Sequence, residues 1–124
     1  MEIIVLDSNI LIEILKGKEE TISRVQTLSK PLSISSITVM ELIIGARNKQ
    51  EVSILNEFIE LFEIIHIDAT ISTLAMQLVT NYAKSHTLDI PDSLIAATAL
   101  VNHAQFFTYN RKDFQFIPNL DLII

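Results

Sequence analysis

The sequence contains no cysteine, which excludes disulfide scaffolds, thiolate zinc sites and cysteine nucleophiles together, and nothing in it suggests an oxidising compartment. Its two glycines are too few to build a phosphate-cradling P-loop or a dinucleotide fingerprint, and no Gly-x-Ser-x-Gly elbow presents a serine nucleophile. His66, His86 and His103 show neither His-x-x-x-His nor His-Glu-x-x-His spacing, so each reads as an ordinary strand, loop or helix-end residue. No apolar run approaches the ~20 residues of a membrane span. The opening Met-Glu-Ile-Ile-Val-Leu-Asp has no basic stretch before its apolar run, which predicts a cytoplasmic chain. Basic residues are also scarce, nine against fifteen acidic, for a net charge of −6. Unspecific adhesion to polyanions is therefore not expected, and any nucleic-acid chemistry needs help from cations.

Apolar residues, by contrast, make up 49% of the 124 residues, and with only three prolines the disordered, collagen-like and low-complexity classes fall away. Such a length suits one domain spanning 1–124. Ile3 to Leu6 is a short, β-branched-rich run apolar on both sides, as in a buried parallel strand, and it stops at Asp7. Helical spacing then begins at Ile10, with Asp7 or Ser8 as cap and Gly17 as stop. Further helices are predicted over 19–28, from a Ser36 or Thr38 cap onward, over 51–62 and over 70–85. A last one runs from Asp92 or Ser93 to His103, because Pro91 disfavours helical geometry at Ile90. Strands fit 31–35, 63–68 and 105–108, a polar loop 109–113, and an edge strand 121–124. This alternation predicts a three-layer α/β/α fold around a mostly parallel sheet of four to five strands. Met40, Met76, Phe58, Phe62 and Phe106 are expected in the core, and the high apolar fraction leaves room for an exposed partner-binding patch.

Ligands of an open parallel sheet bind beyond the carboxyl ends of its strands. Asp7, Glu41, Asp92 and Asp113 are the acids predicted at such ends or at the helix starts that follow them. Like charges gathered there raise one another's pKa values, a liability that hard divalent cations such as Mg²⁺ or Mn²⁺ relieve. Plainer roles exist for each: Asp7 and Asp92 as N-caps, Glu41 as the capping-box partner of Thr38, Asp113 in a surface ion pair with Arg111 or Lys112. Asp89 reads as a solvated loop acid. Two other functions fit the same residues. Asp68, taken to follow a central strand, permits a phosphoacceptor receiver-like domain, and a non-catalytic interaction module needs the acids only as caps.

Four motifs in order narrow the choice: Asp7-Ser8-Asn9; Ser36-x-Thr38-x-x-Glu41; Ile90-Pro91-Asp92-Ser93-Leu94-Ile95-Ala96-Ala97-Thr98-Ala99; and Thr108-x-Asn110-x-x-Asp113-Phe114. Over essentially its whole length the chain resembles the PIN-domain ribonucleases, and among them the VapC-type toxins. The resemblance implies a metal-dependent endoribonuclease, the toxin of a toxin-antitoxin pair, held inactive by a VapB-like antitoxin and expected to be a homodimer. It makes Asp7, Glu41 and Asp92 the acids that bind Mg²⁺, with Mn²⁺ a plausible substitute. Asp113 is the expected fourth acid, and Asn110 and Thr108 orient water or carboxylates. Ser8 stands where threonine is commoner and keeps the hydroxyl. Arg111 and Lys112 are the candidates for gripping RNA phosphates, since their loop should lie at the acidic mouth.

Overall fold

A computed structural model describes residues 2–123. Five short strands form one all-parallel sheet: β1 (Ile4–Leu6), β2 (Leu32–Ser35), β3 (Glu63–Ile65), β4 (Gln105–Phe107) and β5 (Asp121–Leu122), in the order β3-β2-β1-β4-β5. Ile124, the last residue of the expected edge strand, lies outside the described residues. The helices are α1 (Ser8–Leu15), α2 (Glu19–Gln26), α3 (Ser36–Gly45), α4 (Lys49–Ile59), α5 (Ala69–His86) and α6 (Ile90–Val101), with a 3-10 turn at Arg111–Asp113.

Alternation along the strands builds a core on each face of the sheet, because successive side chains of a strand point to opposite sides. Ile4 and Leu6 of β1 and Phe107 of β4 join Ile10, Leu11, Leu42, Leu55 and Ile59 beneath α1, α3 and α4. Val5 and Phe106 face the other way, onto Ile71, Ala75 and Leu78 of α5 and Ile95, Ala96 and Ala99 of α6. The alanines of α6 let the helix lie close to the sheet and to α5, so helices cover both faces in three α/β/α layers.

Several local expectations are corrected. Helix α6 begins at Ile90 rather than at Asp92 or Ser93, and its cap is Asp89, whose carboxylate accepts from the Asp92 amide. Pro91 does not hold Ile90 out of the helix: in the first turn a proline removes an N–H that has no intrahelical partner anyway. Helix α3 is capped by Ser35, not Ser36 or Thr38, which places Thr38 inside the first turn and leaves the Thr38–Glu41 capping box unformed. Helix α1 starts two residues earlier than its apolar spacing, directly behind its Asp7 cap. Asn48 caps α4. Met40 and Met76 are 50% and 67% exposed rather than core, while Phe106 is fully buried and Phe58 and Phe62 half-buried. Asp68 caps α5 through the Ile71 amide and follows β3, an edge strand, so the central-strand premise of the receiver-like reading fails.

Candidate metal and nuclease site

Strand β1 sends its connection to β2 on one side, while its other neighbour, β4, arrives from the far end of the chain. Such a switch point opens a crevice at the strands' carboxyl ends. Asp7, the residue after β1, is 4% exposed there. Its Oδ1 accepts from the Ser8 amide at 2.8 Å, and its Oδ2 accepts from the Thr108 hydroxyl at 2.7 Å and from the Asn9 side-chain amide at 3.2 Å. Thr108, the residue after β4, also accepts from Asn9 Nδ2 and from the Asn110 amide. Asn9 accepts in turn from the Tyr109 amide at 3.1 Å. Two strand ends 101 residues apart are thus stitched by one buried carboxylate and its donors. Burial pushes the Asp7 carboxyl above its ordinary value, against the opposing pull of the bonds from Thr108, Ser8 and Asn9.

Glu41, in the second turn of α3, is half-buried, and its Oε1 is enclosed without a hydrogen-bond partner. Its carboxyl is also raised, first by burial and then by the charges of Asp7 and Asp89. Asp92, in the first turn of α6, is pushed up to about 7 by burial and by the charges of Asp89, Asp7, Asp113 and Glu41. Acids from α1, α3, α6 and the 3-10 turn therefore share one field. Among the described residues no ion pair reaches any of these five carboxylates, so the surface pairing weighed for Asp113 with Arg111 or Lys112 does not form. Arg111 donates instead to the Ile123 carbonyl, and Lys112, Asn110 and Asp113 are exposed on the turn.

Asp89 was the acid set aside in the sequence. Its signal was legible: an Asp two residues before a proline matches an N-cap followed by proline in the first helical turn, and an N-cap lies beside the residue three positions on. Thr38, fully buried in α3, has a hydroxyl with no described partner; the motif Ser36-x-Thr38-x-x-Glu41 marks it in the sequence, but as a cap rather than as a buried hydroxyl.

The cluster fits a hard divalent ion in donor chemistry. Its members are oxygen-only and unpaired with cations; Glu41 and Asp92 are raised first by burial and then by neighbouring charges, and Glu41 keeps one enclosed carboxylate oxygen without a hydrogen-bond partner. The acids gather without closing into a cage: among the described residues no three His, Asp or Glu side chains are disposed to hold one metal ion as they stand. Among the same residues no helix is long and apolar enough to cross a membrane.

The PIN domain family model matches residues 4–118. The chain is 32% identical to Ribonuclease VapC1 of Methanocaldococcus jannaschii, over 98% of this chain and 85% of that protein. It is 31% identical to the tRNA(fMet)-specific endonuclease VapC of Salmonella typhimurium, over 93% of this chain and 92% of that one. Among solved structures it superposes on a chain of VapBC2 from Rickettsia felis, bound to a DNA fragment from their promoter, with a TM-score of 0.83 and 32% identity, covering 98% and 97% of the two chains.

Proposed function

The chain belongs to the PIN domain family, and from that premise we propose that it is an endoribonuclease dependent on Mg²⁺, or Mn²⁺ in its place, acting as the toxin of a toxin-antitoxin pair. The observation that carries this reading is the set of uncompensated carboxylates, Asp7, Glu41, Asp92, Asp113 and Asp89, converging where β1 and β4 end. A bound divalent ion supplies the positive charge that offsets these acids and a phosphodiester, and lowers the pKa of the attacking water.

The chain's own residues do the rest. Thr108, Asn9 and the Ser8 amide fix the Asp7 carboxylate in one orientation, so its oxygens need no reorganisation on loading. Glu41 offers the free Oε1, and Asp92, destabilised as an anion, gains most from a cation. Arg111 and Lys112, exposed on the turn that carries Asp113, are the cations this reading assigns to RNA phosphates.

Inhibition by a VapB-like antitoxin is supported by solved relatives that are VapBC complexes. It also has a physical route. An apolar groove of about 570 Å³ between α1, α3 and α4, lined by Ile12, Leu15, Leu42, Ile54 and Leu55, runs up to Glu41. Ile54 there is 54% exposed, a position that a partner segment would cover. Homodimerisation belongs to the same proposal and is read by light scattering.

The test is direct. Protein freed of antitoxin cuts RNA when Mg²⁺ is added and stops when it is chelated. Asp7→Asn lowers the rate by more than the roughly 10- to 100-fold that loss of an outer-sphere partner costs. Equal cleavage by Asp7→Asn refutes the assignment.

A further inference from the structure

A chain of net charge −6 with five acids at its mouth repels the polyanion it is proposed to cut, so part of its affinity for RNA must come from contacts that do not depend on charge. Stacking of bases on aromatic rings is such a contact. One group of stacked rings lies on the segments that lead into Asp89 and away from Asp113. The His86 and Phe116 rings lie face to face, centroids 4.3 Å apart and planes 17° from parallel. Tyr82 meets His86 edge-on at 5.6 Å and Phe116 at 5.2 Å. The Ser85 hydroxyl and His86 Nδ1 are 2.7 Å apart, which holds the imidazole by its edge. Phe116 and Tyr82 are half-buried and pack against the core, whereas His86, the outermost ring, is exposed.

The place of this stack in the chain ties it to the acids. His86 ends α5 three residues before Asp89, and Phe116 follows Asp113 by three; Asp89 and Asp113 are two of the acids whose charges act on Asp92. The stack therefore bridges the two segments that bring those acids to the mouth. Here a planar heteroaromatic is stacked on Phe116, held at one edge by Ser85, and exposed.

We propose that His86, backed by Phe116 and Tyr82, is a stacking platform for an unpaired RNA base beside the scissile phosphate, and so a positioning residue that favours single-stranded or looped RNA over duplex. Bases locked in an A-form helix cannot present a free face to it. The proposal rests on the nuclease reading but is tested apart from it.

The probe is a short fluorescein-labelled single-stranded oligoribonucleotide, with a duplex of the same length as control, titrated into the full chain in EDTA and read by fluorescence anisotropy. His86→Ala is expected to weaken single-strand binding by roughly 5- to 150-fold while leaving the duplex unaffected. His86→Phe, which keeps a stacking face, restores most of the loss. In cleavage assays with Mg²⁺ the His86→Ala defect falls on KM rather than kcat. Wild-type affinity in His86→Ala, or an equal loss in His86→Phe, overturns the platform and leaves the nuclease standing. A wild-type chain that fails to cleave RNA removes the nuclease reading, whatever the binding data show.

Discussion

Asp92→Asn should stabilise the metal-free protein at alkaline pH while it removes activity. Folding moves the Asp92 pKa from 3.8 to about 7, with burial the largest cause and the charges of Asp89, Asp7, Asp113 and Glu41 following. The folded state thus holds a proton that the unfolded chain has released, and between those two values stability falls as pH rises. The contribution of this group is intact below the unfolded pKa and lost once pH passes the folded one. At about 1.4 kcal/mol per pKa unit the full penalty is about 4 kcal/mol. Because Asp92 is only half-buried, solvent screening reduces it to about 1–2 kcal/mol. An asparagine carries no charge at either pH and escapes the loss. In EDTA, thermal unfolding followed by circular dichroism should give the two proteins similar Tm values near about pH 4, and Asp92→Asn an advantage of about 5 °C near about pH 8.5. Glu41 and Asp7, also raised, keep a residual slope in the variant. Mn²⁺ should raise the wild-type Tm at the alkaline pH and do little for Asp92→Asn. If the variant instead matches or falls below the wild type at about pH 8.5 with the same pH slope, Asp92 is not strained by its neighbours, and the case for a cation at this mouth loses its electrostatic basis.

Thr108→Val removes the donor to Asp7 Oδ2 and the acceptor for the Asn110 amide. It should destabilise the fold by about 1–3 kcal/mol in urea melts and, as loss of an outer-sphere partner, slow cleavage roughly 10- to 100-fold. Asp68→Ala removes only the cap of α5, so a loss of about 1 kcal/mol with unchanged RNA cleavage is expected, and intact mass after incubation with a small phosphodonor should show no adduct on Asp68 of the wild type.

The fold was legible because two periodicities dominate the chain. Ile4-Val5-Leu6 and Phe106-Phe107 are apolar without alternation, which only a strand covered on both sides tolerates, and the structure places them at the middle of the sheet. What misled were signals that depend on one or two residues. Pro91 reads as a breaker under the rule for the residue before proline, yet the first turn of a helix is where proline fits. Thr38 and Glu41 match a capping box in spacing, but Ser35 took the cap one turn earlier and released Glu41 from its backbone role. Met40 and Met76 carry the right hydropathy for a core and lie on exposed helix faces. No pattern along the sequence says which apolar face a domain keeps for itself.

The site divides along the same line. Acids near a strand end or a helix start can be picked out by position as candidates, and Asp7, Glu41, Asp92 and Asp113 are such acids. How strongly they act on one another cannot, because it depends on separations between elements as far apart in sequence as α1 and α6. Asp89 shows the consequence. In the sequence it reads as a solvated loop acid; as the cap of α6 it stands beside Asp92 and heads the charges that raise it. One carboxylate therefore has two opposed effects. It stabilises the start of the helix by accepting from the Asp92 amide, and it destabilises the ionised form of the Asp92 side chain on the same residue. Both effects persist only if the fold tolerates an acid held partly protonated at neutral pH, and a fold gains from that when a cation can take the proton's place.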